Sequence, residues 1–86
     1  MGRQRFSAAF GLVVRRRRHE IGLSQEALAE KAELSSVYVG FIERNTRSPT
    51  IDTAEKLANA LGTTLATLVD EAELQWRRNL PKRRSR

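Results

Sequence analysis

Residues 25–44, QEALAEKAELSSVYVGFIER, decide the fold. Apolar or small side chains fall at Leu28, Ala29, Ala32, Leu34, Val39 and Ile42, a spacing that gives each of two short helices one buried face, with a break near Glu33. The two helices therefore meet at a tight corner. Ala29 matters most to that corner, because helices crossing at about 90–120° over a short turn bring their backbones close, and a larger side chain would wedge them apart.

The flanking segments extend the same logic. Ser24 is the expected N-cap of the first corner helix, with Gln25 and Glu26 in its first turn, where a carboxylate suits the positive end of the helix dipole. Ser35 is the expected cap of the next helix, in which Val39 and Ile42 point to the core while Ser36, Val37, Gly40 and Phe41 face the other way. An outward valine and phenylalanine are an odd surface for a solvated helix and mark a candidate binding face. Upstream, Ser7 is placed as the cap of a first helix running to about Glu20, with Phe10, Val14 and Ile21 on one stripe and Gly22 as its stop. Gly11 inside that helix costs about 1 kcal/mol relative to alanine, which points to another backbone passing close by. Of the run Arg15, Arg16, Arg17 and Arg18, whose side chains point all round the helix, only Arg18 is given a structural role; His19 is given none.

Downstream, residues 45–49 (NTRSP) read as a loop, since Pro49 biases Ser48 away from helix. Thr50 caps a fourth helix over residues 51–61, with Leu57, Ala58 and Leu61 inward and Gly62 as its stop. Thr64 caps a fifth helix in which Leu65, Leu68, Val69, Ala72 and Trp76 recur at helical spacing. This last stripe is longer than a small core needs, so Leu68, Ala72 and Trp76, with Leu80, are expected to cover a partner subunit. The expected division is a basic N-terminal arm at 1–6, a helical domain at 7–76 and a basic C-terminal tail at 77–86, with Pro81 stopping the last helix.

Composition narrows the function. A chain of 86 residues buries only about 60% of its unfolded surface, which leaves little room for an elaborate catalytic pocket. It has no cysteine and one histidine, so thiol chemistry, disulfides and an ordinary zinc site are excluded. No nucleophile–base pair and no glycine-rich phosphate loop is present, and the chain is not read as an enzyme; no cofactor, metal or small-molecule ligand is expected. No run of 18 or more apolar residues and no apolar leader occurs, so a cytoplasmic protein without membrane contact is expected.

The net charge of +6 is unevenly spread. Residues 1–23 hold six arginines against one glutamate, residues 24–73 hold four Lys/Arg against nine Asp/Glu, and residues 74–86 hold six Lys/Arg with no acid. A polyanionic partner is implied, yet the centre is acidic, so binding must rest on positioned contacts plus basic flanks. The alternative is that the flanks alone produce the pI of about 11.1.

The stretch from Phe10 to Gly62 resembles the phage repressor/Cro-type (XRE) helix-turn-helix family. The matching residues are Gly11, Val14, Arg15 and Arg18, GLSQ at 22–25, LA at 28–29, IER at 42–44, Pro49 and ALG at 60–62. The resemblance implies an all-α, five-helix, lambda-repressor-like DNA-binding fold with the helix-turn-helix at helices 2 and 3, the second of which enters the major groove. It implies base contacts from Ser36, Val37, Gly40 and Phe41, and phosphate contacts from Ser24, Gln25, Asn45, Thr46 and Arg47, which set register without reading sequence. It further implies that Arg18 pairs with Glu43. Two departures stand out: Glu33 occupies a turn position where the family usually has glycine, and Arg17 occupies one often apolar, so that its stem is expected to pack and its head to reach solvent.

The reading that follows is a sequence-specific regulator of transcription, acting as a homodimer on a palindromic or near-palindromic double-stranded DNA operator and similar to the small controllers of restriction–modification systems. The alternative is a protein-interaction module of the same fold whose basic tails bind nucleic acid non-specifically. The base-facing positions lack Arg, Asn and Gln, the side chains that make bidentate contacts to guanine or adenine.

Overall fold

The computed structural model describes residues 5–78. Most of the expected N-terminal arm, Leu80, the Pro81 stop and the tail at 82–86 lie outside the described residues. Within them the chain forms five helices and no strand: α1 (Phe6–Glu20), α2 (Gln25–Ala32), α3 (Ser36–Glu43), α4 (Ile51–Ala60) and α5 (Leu65–Arg78).

Local chemistry accounts for the helix starts. Ser24, Ser35, Thr50 and Thr64 each accept a hydrogen bond on the side-chain oxygen from the backbone N–H three residues on, at 3.0–3.1 Å. The first helix differs from expectation: it begins two residues earlier, its N-cap Arg5 makes no side-chain cap bond, and Ser7 sits inside the first turn. The Ser7 hydroxyl instead donates to Asn45 Oδ1 at 2.8 Å, because the start of α1 lies beside the loop after α3. At the other end, α5 continues through Arg77 and Arg78, so the last helix takes in the first residues assigned to the tail.

One terminating device recurs four times. Leu23, Leu34, Thr46 and Thr63 each donate the backbone N–H to the carbonyl five residues back, at 2.8–3.0 Å, around a left-handed residue. Gly22 and Gly62 take that conformation without strain at φ +74° and +76°. Glu33 and Asn45 take it at φ 60°. Asparagine tolerates this region, whereas glutamate carries a cost of about 1 kcal/mol. Glu33 therefore adopts the left-handed conformation that its place in the turn requires.

The core joins all five helices through Val13, Val14, Leu28, Val39, Ile42, Leu57 and Leu68, none with measurable exposure. Ala29 is buried at the corner of α2 and α3 as expected. A Cβ on Gly11 would stand 2.2 Å from the Ile42 carbonyl oxygen, so α1 crosses α3 backbone to backbone. Ile21 departs from its expected stripe: it is the C-cap of α1, where the chain turns away from the core, and is 51% exposed.

Candidate nucleic-acid interface

The orientation of α3 is set from beneath by ionic contacts. Arg18 on α1 donates from Nε and Nη2 to the two carboxylate oxygens of Glu43, at 2.7 and 2.9 Å. Its Nη1 donates to the Leu23 carbonyl at 2.9 Å. Burial pushes the Glu43 carboxyl up, but the hydrogen bonds from Arg18 and Gln25 outweigh it and hold the group below the ordinary glutamate range. The same pair raises the Arg18 guanidinium above its usual value. Gln25 Nε2 donates to Glu43 Oε1 at 3.0 Å, so this glutamine, expected at a phosphate, already spends one donor on the pair. Among the described residues no buried side-chain polar atom lacks a partner.

Above this base α3 presents two kinds of surface. Val37 in its first turn is 61% exposed, with Ser36 half-buried beside it. The second turn differs from the expected open face. Gly40 is buried, and a Cβ there would come 2.9 Å from Arg44 Nη1, so the arginine side chain covers it. Phe41 is half-buried, with the guanidinium carbons of Arg44 and Arg47 at 5.8 and 5.6 Å from its ring centroid. Arg44 entered the sequence reading only as the end of the IER motif, with no place on this surface; its signal is positional, three residues after Phe41 and four after Gly40, which places it over both on a helix surface.

The flanking positions expected at phosphates fall on loop and cap residues around α3. Ser24 uses its oxygen to cap α2. Asn45 accepts from Ser7 through Oδ1, leaving its amide NH₂ without a partner among the described residues. Thr46 and Arg47 are exposed. Among the described residues no group of three or more His, Cys, Asp or Glu could hold a metal ion, and no helix is long and apolar enough to cross a membrane.

Two of the three expected dimer residues require correction. Leu68 and Ala72 are fully buried within the monomer, where α5 packs on α1, so they have no surface to offer a partner. Trp76 is half-buried and meets Phe6 edge-to-face, ring centroids 5.9 Å apart. The head of Arg17, expected in solvent, reaches α5 instead: its Nε and Nη2 donate to both oxygens of Glu71, which Arg16 also engages. Those hydrogen bonds hold the Glu71 carboxyl below its ordinary range and raise Arg17 above its own. One open apolar surface lies elsewhere, at a cavity of about 330 Å³ whose walls include Phe6, Phe10, Pro49, Ile51, Leu65 and Val69. Ile51 on its rim is 76% exposed.

The helix-turn-helix family model matches residues 14–68. The chain is 44% identical over 57 residues to the immunity repressor protein of Bacillus phage phi105, a match covering 66% of this chain but only 40% of that repressor. It is 40% identical over 62 residues to the control protein C.BamHI of Bacillus amyloliquefaciens, covering 71% of this chain and 76% of that protein. Among solved structures it is similar to C.Esp1396I bound to a 25 base pair operator site, with a TM-score of 0.76, 28% identity and coverage of 84% of this chain and 95% of that one.

Proposed function

The chain belongs to the helix-turn-helix family of DNA-binding transcriptional regulators, and we propose that it acts as a homodimer on a palindromic or near-palindromic operator, in the manner of a controller protein. The observation that carries this reading is the exposed first turn of α3, with Ser36 and Val37 free to meet base edges while the Arg18–Glu43 pair holds the helix from behind. In the major groove the hydroxyl suits either donor or acceptor edges, and the Val37 methyls suit a thymine methyl. In this reading Asn45, Thr46 and Arg47, in the loop that follows, meet phosphates and set register, which the exposure of Thr46 and Arg47 supports.

Dimerisation follows from the size of the reader. One such helix makes few base contacts, and two-fold pairing doubles them while setting half-sites about one helical turn apart. The operator-bound relative, on 25 base pairs, supports a site of that extent. The apolar rim of Phe6, Ile51 and Val69 is the face we assign to the second copy, because it is open, apolar and outside α3.

Selection of bound sites from random duplexes tests the proposal, and an enriched sequence with two-fold symmetry is the expected result. Val37→Asp should then abolish binding to the enriched site while leaving helix content intact. Retained binding by the folded variant overturns the assignment of α3. Binding that disappears at about 150 mM salt under excess random DNA would instead favour attachment through basic tails alone.

A further inference from the structure

We propose that Phe41 is a positioning residue whose ring holds Arg44 and Arg47 together as a cationic clamp for DNA phosphodiester oxygens, an inference that rests on the DNA-binding reading above. Both guanidinium carbons lie within about 6 Å of one ring centroid, the range in which the ring quadrupole attracts a cation. Two like charges gathered on one ring require something to hold them, and three features of α3 and its loop do so.

The first is Gly40, whose missing Cβ leaves the space in which Arg44 lies back along the helix. The second is the Phe41 carbonyl, which accepts the backbone N–H of Thr46 at 2.8 Å, that of Arg47 at 3.4 Å and the Thr46 hydroxyl at 3.2 Å. The loop that carries Arg47 is thereby folded back onto the residue that carries the ring. The third is the absence of competition: among the described residues neither Arg44 nor Arg47 has a carboxylate partner, whereas Arg16, Arg17, Arg18 and Arg77 each do.

A guanidinium held before binding loses less side-chain entropy when it meets its ligand. Arginine stays charged and presents a planar fork that matches phosphate oxygens. The ring thus supplies preorganisation, and the two cations supply the contact. Because Phe41 acts through the arginines, its effect should be the same on every DNA sequence.

The test is duplex binding by fluorescence anisotropy, on a selected site and on random DNA, for wild type, Phe41→Leu, Phe41→Tyr, Arg44→Ala/Arg47→Ala and that double variant combined with Phe41→Leu. Phe41→Leu should weaken binding about three- to tenfold on both duplexes, the range expected for losing exposed cation–ring contacts. Phe41→Tyr, which keeps the ring, should restore it, and Phe41→Leu should add no further loss once both arginines are gone. In the free protein, the ring-current shifts of the Arg44 and Arg47 Nε–H signals should vanish in Phe41→Leu and persist in Phe41→Tyr.

A loss confined to the selected site and traced to one base pair would make Phe41 a base reader and overturn the clamp. So would a full loss persisting without the arginines, or unchanged affinity and Nε–H shifts in Phe41→Leu. A wild type that binds no duplex overturns the DNA-binding reading itself, an outcome distinct from a wild type that binds and does not respond to Phe41.

Discussion

Arg18 and Glu43, 25 residues apart in sequence, meet in a two-pronged, nearly water-free ion pair that ties α1 to the last turn of α3. The orientation of α3 therefore depends on a pair buried beneath it. Gln25 and the Leu23 carbonyl complete its hydrogen bonds, which is what allows two charges to remain stable out of water.

Replacing Glu43 with glutamine removes the negative partner and leaves Arg18 buried beside a neutral amide. A loss on the order of 3 kcal/mol is expected in denaturant unfolding, the scale for breaking one side of a buried pair. The folded protein holds the Glu43 carboxyl below its unfolded value of about 4.3, so this stabilisation is complete above that pH and fades as pH falls through the folded value. The stability gap between wild type and Glu43→Gln should be widest above about pH 5 and narrow on acidification. A gap constant from pH 7 to pH 3 would contradict this account.

Gly11→Ala should destabilise although alanine is the better helix former. Its Cβ would meet the Ile42 carbonyl oxygen at 2.2 Å and the Glu43 Cα at 3.3 Å, backbone atoms that yield only if α1 and α3 separate. The overpacking loss, about 1–3 kcal/mol or more, exceeds the gain of about 1 kcal/mol in helix propensity. Gly40→Ala is the contrast, since its Cβ meets only the flexible end of Arg44, and it should keep its thermal midpoint. Equal midpoints for Gly11→Ala and wild type would count against the close crossing.

Glu33→Gly should stabilise. The glutamate sits at φ 60° with its side chain exposed, so relief of the left-handed strain should outweigh the extra freedom of glycine in the unfolded chain. A gain approaching about 1 kcal/mol corresponds to a rise of roughly 4–8 °C in the midpoint of a domain this size. Calorimetry decides the sign, and a lower midpoint would show that Glu33 makes an offsetting contribution.

Ile51→Glu should produce a folded monomer. The side chain is mostly in solvent at the rim of the apolar cavity, so a charge there leaves the core intact while opposing burial against a second copy. Sedimentation should show the wild type as a dimer and the variant at half its mass. An unchanged dimer would place the interface elsewhere.

Residues whose behaviour depends on neighbours within one turn were legible before any tertiary contact was known. Ser24, Ser35, Thr50 and Thr64 cap helices, and Gly22 and Gly62 end them, because a cap bond or a left-handed turn is satisfied within about five residues. The inward positions Leu28, Val39, Ile42 and Leu57 followed from helical period alone. The family resemblance, carried by motif residues, supplied the Arg18–Glu43 pair, which periodicity does not contain.

What only the tertiary structure decided is which surfaces meet. The docking of α5 on α1 buried Leu68 and Ala72, turned Trp76 toward Phe6 and brought Arg17 to Glu71, 54 residues away. Helical period identifies an apolar stripe but does not say whether the same chain or a partner covers it. The packing of the α1 start against the loop after α3 likewise drew Ser7 away from capping and onto Asn45. On α3 itself, the folded-back loop gave Phe41 two arginines and hid Gly40 beneath one of them, because long side chains settle where charge, ring and open space coincide.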